Sequence, residues 1–211
     1  MENKEKERVD NETPEAIVEL FSAPYRYFSP MFWELGFKNM LDVGCGNGSG
    51  TSLMQKYFPQ VVGVDKDILE IKPNFIQSKV TDLKNFPDNS VDGAFCFEVI
   101  EHLNEEDQKK LIAELYRVSK KGFVIGSVNK EGPNTIKGTE IFKGEKNKFH
   151  IKELTILDFV AIGDSLEKNY AQYYGSKYDK TAEVVRIDVL MDPYPIKQYC
   201  NYVKIIKKQE E

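Results

Sequence analysis

Only two of the 211 residues are histidines, and one of them, His102, closes the run Glu98-Val99-Ile100-Glu101-His102. On one helical turn, positions i, i+3 and i+4 share a face. A helical connection here would therefore bring Glu98, Glu101 and His102 together as a metal-ligating set. Carboxylates favour Mg²⁺ or Mn²⁺, and the imidazole shifts the preference toward Mn²⁺ or another transition metal. The other histidine, His150, lies 48 residues downstream and opens His150-Ile151-Lys152-Glu153-Leu154-Thr155, just before a predicted helix. It is a fourth candidate ligand. The same groups suit proton transfer, because histidine is the side chain whose unperturbed pKa lies near neutrality. His102, His150 and Glu98 are thus the candidate catalytic residues.

A second chemistry-bearing stretch is Asp42-Val43-Gly44-Cys45-Gly46-Asn47-Gly48. A strand running into a glycine turn and then a helix presents backbone N–H groups and a positive helix end to an approaching ligand. The dinucleotide fingerprint GxGxxG fails, since Ser49 stands where the third glycine belongs. A phosphate-binding P-loop fails as well, because no Gly-Lys-Ser/Thr closes the turn.

The elements that must position these residues alternate along the chain. Pro14 to Phe21 has helical character and leads into an aromatic stretch, Tyr25, Tyr27, Phe28, Phe32 and Trp33, suited to packing on the domain or covering a ligand. Met40 to Val43 reads as a buried strand. The following helix carries Leu53, Met54, Tyr57 and Phe58 on one face and stops at Pro59. Further strands are predicted at Gln60–Val64, ending at Asp65, at Phe75–Val80, and at Asp92–Phe97. Asn104 caps a helix with Leu111, Ile112, Leu115 and Val118 on its inner face, and Gly122 is the expected closing residue. A fifth strand runs from Phe123 to Val128. The long connection 129–149 is expected to gate substrate. Thr155 to Ile162 reads as a helix, and Tyr170–Tyr174, Glu183–Leu190 and Tyr199–Ile206 read as strands. Strands that are apolar throughout, alternating with helices, imply a doubly wound α/β fold with a mostly parallel sheet covered on both faces.

In this order the chain resembles the class I S-adenosylmethionine-dependent methyltransferases, on four signals between Leu41 and Val128. They are the acidic residue and GxGxG formed by Asp42, Gly44, Gly46 and Gly48, then Asp65, Asp82, and Cys96-Phe97-Glu98 at the end of the fourth strand. The resemblance implies a Rossmann-like, seven-stranded fold and binding of S-adenosylmethionine. It implies that Asp42, Gly44, Cys45, Gly46 and Gly48 bind the cofactor and that Asp65, with Lys66 beside it, meets the ribose hydroxyls. Asp82 and Leu83 would meet the adenine, and Phe97 the methionine end. The pattern ExxEH also resembles ubiquinone-pathway O-methyltransferases and small-RNA 3′-terminal 2′-O-methyltransferases, the latter using a further histidine downstream. The same run occurs in class I methyltransferases with no established metal, where the histidine orients a loop or borders the substrate. The favoured acceptor is a small-molecule hydroxyl, amine or carboxylate. The alternatives are RNA 3′-terminal methylation and a catalytically silent cofactor-binding module.

Composition narrows the partners. A net charge of −5 gives no global drive toward nucleic acid, so a small molecule is the favoured partner. Cys45, Cys96 and Cys200 lack zinc-finger spacing and fit a reducing cytoplasm. Met1 to Glu12 carries eight charged residues and no apolar signal, and no apolar run is long enough for a membrane span. Residues 1–13 read as a disordered charged tail, and 14–211 as one domain. Asp192-Pro193-Tyr194-Pro195 reads as a turn, and the lysines at 137, 143, 146, 148 and 152, interleaved with glutamates, read as a solvated loop.

Overall fold

A computed structural model describes residues 15–68, 73–128, 150–155, 157–158, 161–162, 182–183 and 200–207, with the backbone alone for 15–21, 128, 182–183 and 200–207. The expectations for the tail 1–13, the connection 129–149, the strand at 170–174 and the turn at 192–195 fall outside the described residues. No helix among those described is long and apolar enough to cross a membrane.

The sheet begins with β1 (Asn39–Val43), β2 (Gln60–Asp65), β3 (Phe75–Gln77), β4 (Val91–Phe97) and β5 (Ser119–Val128). In the order β3-β2-β1-β4-β5 these five are parallel. Beyond β5 come two antiparallel neighbours, β7 (Cys200–Lys207) and then β6 (Ala182–Glu183). Chain order reverses beside β1, which has β2 on one side and β4 on the other. Parallel sheets open a crevice at such a reversal, outside the carboxyl ends of their strands.

Side chains alternate through the sheet into two cores. Leu41, Val43, Ala94, Cys96, Phe123 and Ile125 pack with Leu111, Ile112, Leu115 and Val118 of helix α3 (Glu105–Val118). Met40, Phe95, Phe97 and Val124 point the other way, against Tyr25, Phe28 and Phe32 of helix α1 (Glu15–Glu34) and Met54 of helix α2 (Ser49–Met54). Phe95 is fully buried and meets Phe32 edge to face at 4.9 Å; burying such a ring is worth about 1.5–3 kcal/mol. The aromatic stretch of α1 is thus divided. Tyr25, Phe28 and Phe32 face the core, while Tyr27 and Trp33 are exposed. Helix α1 continues through Pro24 and Pro30.

Some boundaries differ from the sequence reading. β3 ends at Gln77, three residues short of Val80, and α2 ends at Met54 with turns continuing to Tyr57. Asn104 does cap α3, accepting from the Asp107 N–H at 3.0 Å, and three acids fill the first turn, where the helix dipole favours them. Gly122, however, does not close α3. The helix ends at Val118 and β5 starts at once at Ser119. Gly122 lies inside β5, where the ladder with β4 shifts register between Val91 and Gly93. There Gly93 comes so close that a Cβ on it would stand 2.6 Å from the Gly122 carbonyl oxygen.

Candidate active site

The turn after β1 is built for close backbone approach. Gly44, Gly46 and Gly48 adopt φ of 80°, 52° and 84°, the left-handed region that L side chains disfavour. Gly44 and Cys45 donate their N–H groups to the Val64 carbonyl at 2.7 and 3.1 Å, tying the turn to the end of β2. Gly46 donates to Asp65 Oδ2 at 2.9 Å, and Asp67 N–H donates to Oδ1 at 3.0 Å. A Cβ on Gly46 would meet nothing within 4 Å, so the chain leaves space there.

Asp42 lies beneath this turn, fully buried. It accepts hydrogen bonds from Tyr25 Oη at 2.8 Å and Thr51 Oγ1 at 2.7 Å. Burial pushes its carboxyl up to about 6, against the two hydroxyls that pull it down. Asp42 therefore supports the turn from inside. Cys45 is buried too, and burial followed by the charges of Asp42 and Asp65 raises its thiol far above the usual range.

The connection from β4 to α3 meets the turn directly. A Cβ on Gly44 would run into Val99 Cγ2. Glu98 precedes this valine with a left-handed φ of 56°, and the helical turn that follows is a short 3₁₀ segment, Ile100–His102. Glu98 stands before that segment, so the α-helical i, i+3, i+4 face does not form. The structure instead groups Glu101, His102 and His150, each offering a ligand atom within 4.8 Å of the others. The imidazoles of His102 and His150 meet edge to face, with centroids 5.0 Å apart.

Glu101 is the buried member of this group. Its Oε2 accepts from Ser127 Oγ of β5 at 2.9 Å, and its Oε1 has no hydrogen-bond partner. Burial, followed by the nearby charge of Glu98, holds its carboxyl well above the usual range, while His150 and Ser127 act in the opposite direction. His150 Nδ1 lies 2.8 Å from Glu153 Oε1, a contact that orients the ring.

The remaining candidates are spread along the same strand ends. Lys66 is exposed after β2, and its carbonyl accepts from Gln77 Nε2 at 2.8 Å. Asp82 is half-buried beyond β3 and pairs with Lys84 at 3.1 Å. The neighbouring Leu83 is fully buried, with both backbone groups held by α3: its N–H donates to Glu114 Oε2 at 2.7 Å and its carbonyl accepts from Arg117 Nη2 at 3.1 Å. Phe97 is buried in the aromatic core, stacked on Phe28 and edge-on to Tyr25.

The profile of a family described as "Methyltransferase domain" matches residues 41–125, the span that holds the glycine turn, Asp65, Asp82 and the Glu98–His102 connection. Over that span the chain is similar to the methyltransferase domains of this family. The chain is 26% identical over 152 residues to a probable S-adenosylmethionine-dependent methyltransferase of Mycolicibacterium smegmatis, an alignment covering 66% of the chain. The chain spans 56% of that relative's length. Among solved structures, the small RNA methyltransferase HEN1 superposes with a TM-score of 0.66 at 18% identity, covering 90% of this chain and 26% of that one. The 1,6-didemethyltoxoflavin-N1-methyltransferase of Burkholderia thailandensis superposes with a TM-score of 0.64 at 17% identity, covering 91% and 81%. At these identities the likeness is one of fold.

Several residues that shape the candidate site carry no local signal in the sequence. Thr51 and Ser127 look like ordinary hydroxyl residues until the fold sets them against Asp42 and Glu101. Arg117 pairs with Glu114 three residues before it and also donates to the carbonyls of Leu83 and Phe86 and to Asp88. Gln108 is buried on α3, and its amide reaches the carbonyls of Ile100, Leu103 and Lys152. Its lone signal in the sequence is an amide four residues after the Asn104 cap.

Proposed function

We propose that the domain transfers a methyl group from S-adenosylmethionine to a small-molecule hydroxyl, amine or carboxylate at the carboxyl edge of the sheet. One observation carries this reading: the Gly44–Val99 contact places the glycine turn against the connection that bears Glu101 and His102. When bound, the cofactor supplies an activated sulfonium methyl.

In this proposal the turn from Gly44 to Gly48, with Cys45, receives the amino-acid part of the cofactor, and Phe97 walls its methionine end. Asp65, held by Gly46 and Asp67 and flanked by Lys66, accepts from the ribose hydroxyls. Asp82 and Leu83 border the adenine. The acceptor lies across the Gly44–Val99 contact, where His102 or His150 takes its proton and Glu98 borders it. Holding the nucleophile within about 3–3.5 Å in line with the methyl is the main task left to the protein.

Glu101, His102 and His150 fit a divalent ion. They offer one buried carboxylate oxygen without a partner and two imidazoles, a set that suits Mn²⁺ or another transition ion better than Mg²⁺. These three residues would hold it, and it would lower the pKa of an acceptor hydroxyl.

A second reading, RNA 3′-terminal 2′-O-methylation, draws on His150 standing beside Glu101 and His102 and on the fold likeness to HEN1. The net charge of −5 weighs against it. Calorimetry with S-adenosylmethionine, followed by a transfer screen over phenols, amines, carboxylates and short RNA, tests both. Transfer to RNA alone, with steep salt dependence, would replace the first reading by the second. Absence of cofactor binding would remove both.

A further inference from the structure

We infer that Gln108 is a positioning residue that sets His150 against Glu101 and His102, although it belongs to α3 and is buried away from solvent. His150 and His102 sit on segments 48 residues apart in the chain, so something must hold the two together. Two backbone bonds begin the attachment: Ile151 and Lys152 donate their N–H groups to the Glu101 carbonyl at 2.8 and 3.0 Å. The Gln108 amide completes it. Its Nε2 reaches the Ile100 carbonyl at 2.9 Å and the Leu103 carbonyl at 3.3 Å on one segment, and the Lys152 carbonyl at 3.1 Å on the other.

Three carbonyls thus converge on one NH₂ group, and a carboxylate, thioether or hydrocarbon at 108 could not answer them. A buried acceptor left without its donor carries a desolvation penalty that opening to water relieves. The segment that would open is the one holding His150. The ring of His150 is further oriented by Glu153 on the same segment, so ring and orienting partner would move as a unit. Gln108 approaches the group only through these carbonyls and acts on the ring geometry from behind. This inference rests on reading Glu101, His102 and His150 as the acceptor-side group.

The chain's two histidines make the test direct, because each ring gives its own NMR signals. In the wild type a ring-to-ring nuclear Overhauser contact between His102 and His150 is expected, as is slow exchange of the Gln108 side-chain amide protons. Gln108→Met keeps the length and helix preference but has no donor. In that variant the ring contact should vanish and the Ile151 and Lys152 amides should exchange roughly tenfold faster or more. Affinity for S-adenosylhomocysteine should stay within about twofold of wild type, because the glycine turn shares no partner with Gln108. A folded variant that keeps the ring contact and the slow amides overturns the inference. Loss of the ring contact with methyl transfer unchanged leaves the positioning intact and overturns the functional reading of the group instead. If Gln108→Met does not fold, the wild-type measurement decides: a freely exchanging Gln108 side-chain amide overturns the inference, and a protected one supports it.

Discussion

Gly46 and Asp65 hold each other: the N–H of the glycine donates to the carboxylate that ends β2, at 2.9 Å. The turn after β1 and the acid after β2 are therefore one unit. The second oxygen of Asp65 accepts from Asp67 N–H, so the carboxylate is fixed from two sides while only 6% of the residue is exposed.

Asp65→Ala should weaken S-adenosylmethionine binding on two counts, by removing an acceptor for the ribose hydroxyls and by releasing Gly46. A hydrogen bond to a charged group is worth about 1.5–3 kcal/mol, so calorimetry should register a loss of roughly 10- to 100-fold. An unchanged dissociation constant would make Asp65 a turn residue and nothing more.

Substitutions at two glycines of the turn should part company. Gly46→Val places a side chain in space that the chain leaves open, so ligand affinity should fall more than stability does. The left-handed φ contributes a strain of about 1–2 kcal/mol. Gly44→Ala drives a methyl into Val99 and should chiefly lower the melting temperature. Comparing thermal melts with cofactor titrations checks the contrast, and equal effects at both sites would count against a ligand at Gly46.

Asp42 carries a pH prediction. Its folded-state value of about 6 lies above the ordinary carboxylate value. The protonated form is favoured by folding, so this contribution is fully present below the unfolded value near 3.9 and is lost as pH rises through about 6. The loss is on the order of 2–3 kcal/mol at one site. Asp42→Asn should flatten this part of the stability profile, as read by urea unfolding between pH 4 and pH 7. A wild-type profile equally flat over that window would contradict the shift.

If the acceptor-side group holds an ion, EDTA should abolish transfer and Mn²⁺ should restore it. Glu101→Ala and His102→Ala should each reproduce chelation while leaving cofactor affinity intact. Metal-free protein with full, EDTA-insensitive turnover would leave the two histidines as bases only.

What the sequence discloses and what it hides follow from the range of the forces involved. The glycine turn is legible because left-handed backbone is a local demand, and Asp65 is legible because it ends an apolar strand. Tyr25 reaches Asp42 from another element, so nothing local marks its hydroxyl as part of the turn's support. Gln108 carries helix preference alone, and its role comes from three carbonyls on other segments. The cluster of Glu101, His102 and His150 is legible by residue type but not in geometry. A 3₁₀ turn starting at Ile100 replaced the assumed α-turn and left Glu98 outside the group. Gly122 was misplaced for a related reason, because a strand that begins with no intervening loop needs no helix-ending glycine.

The seam between Gly44 and Val99 also limits how such a domain can be re-engineered. A single methyl group at 44 would strike Val99, so the two halves of the site leave no room for a side chain between them. Grafting a foreign β4–α3 connection would therefore require a residue at 99 that leaves the same gap. Exposed pieces carry no such demand. Tyr27 and Trp33 on α1 and Ile151 beside His150 face solvent, and a mutant library confined to them could vary the protein's surface while leaving the seam untouched.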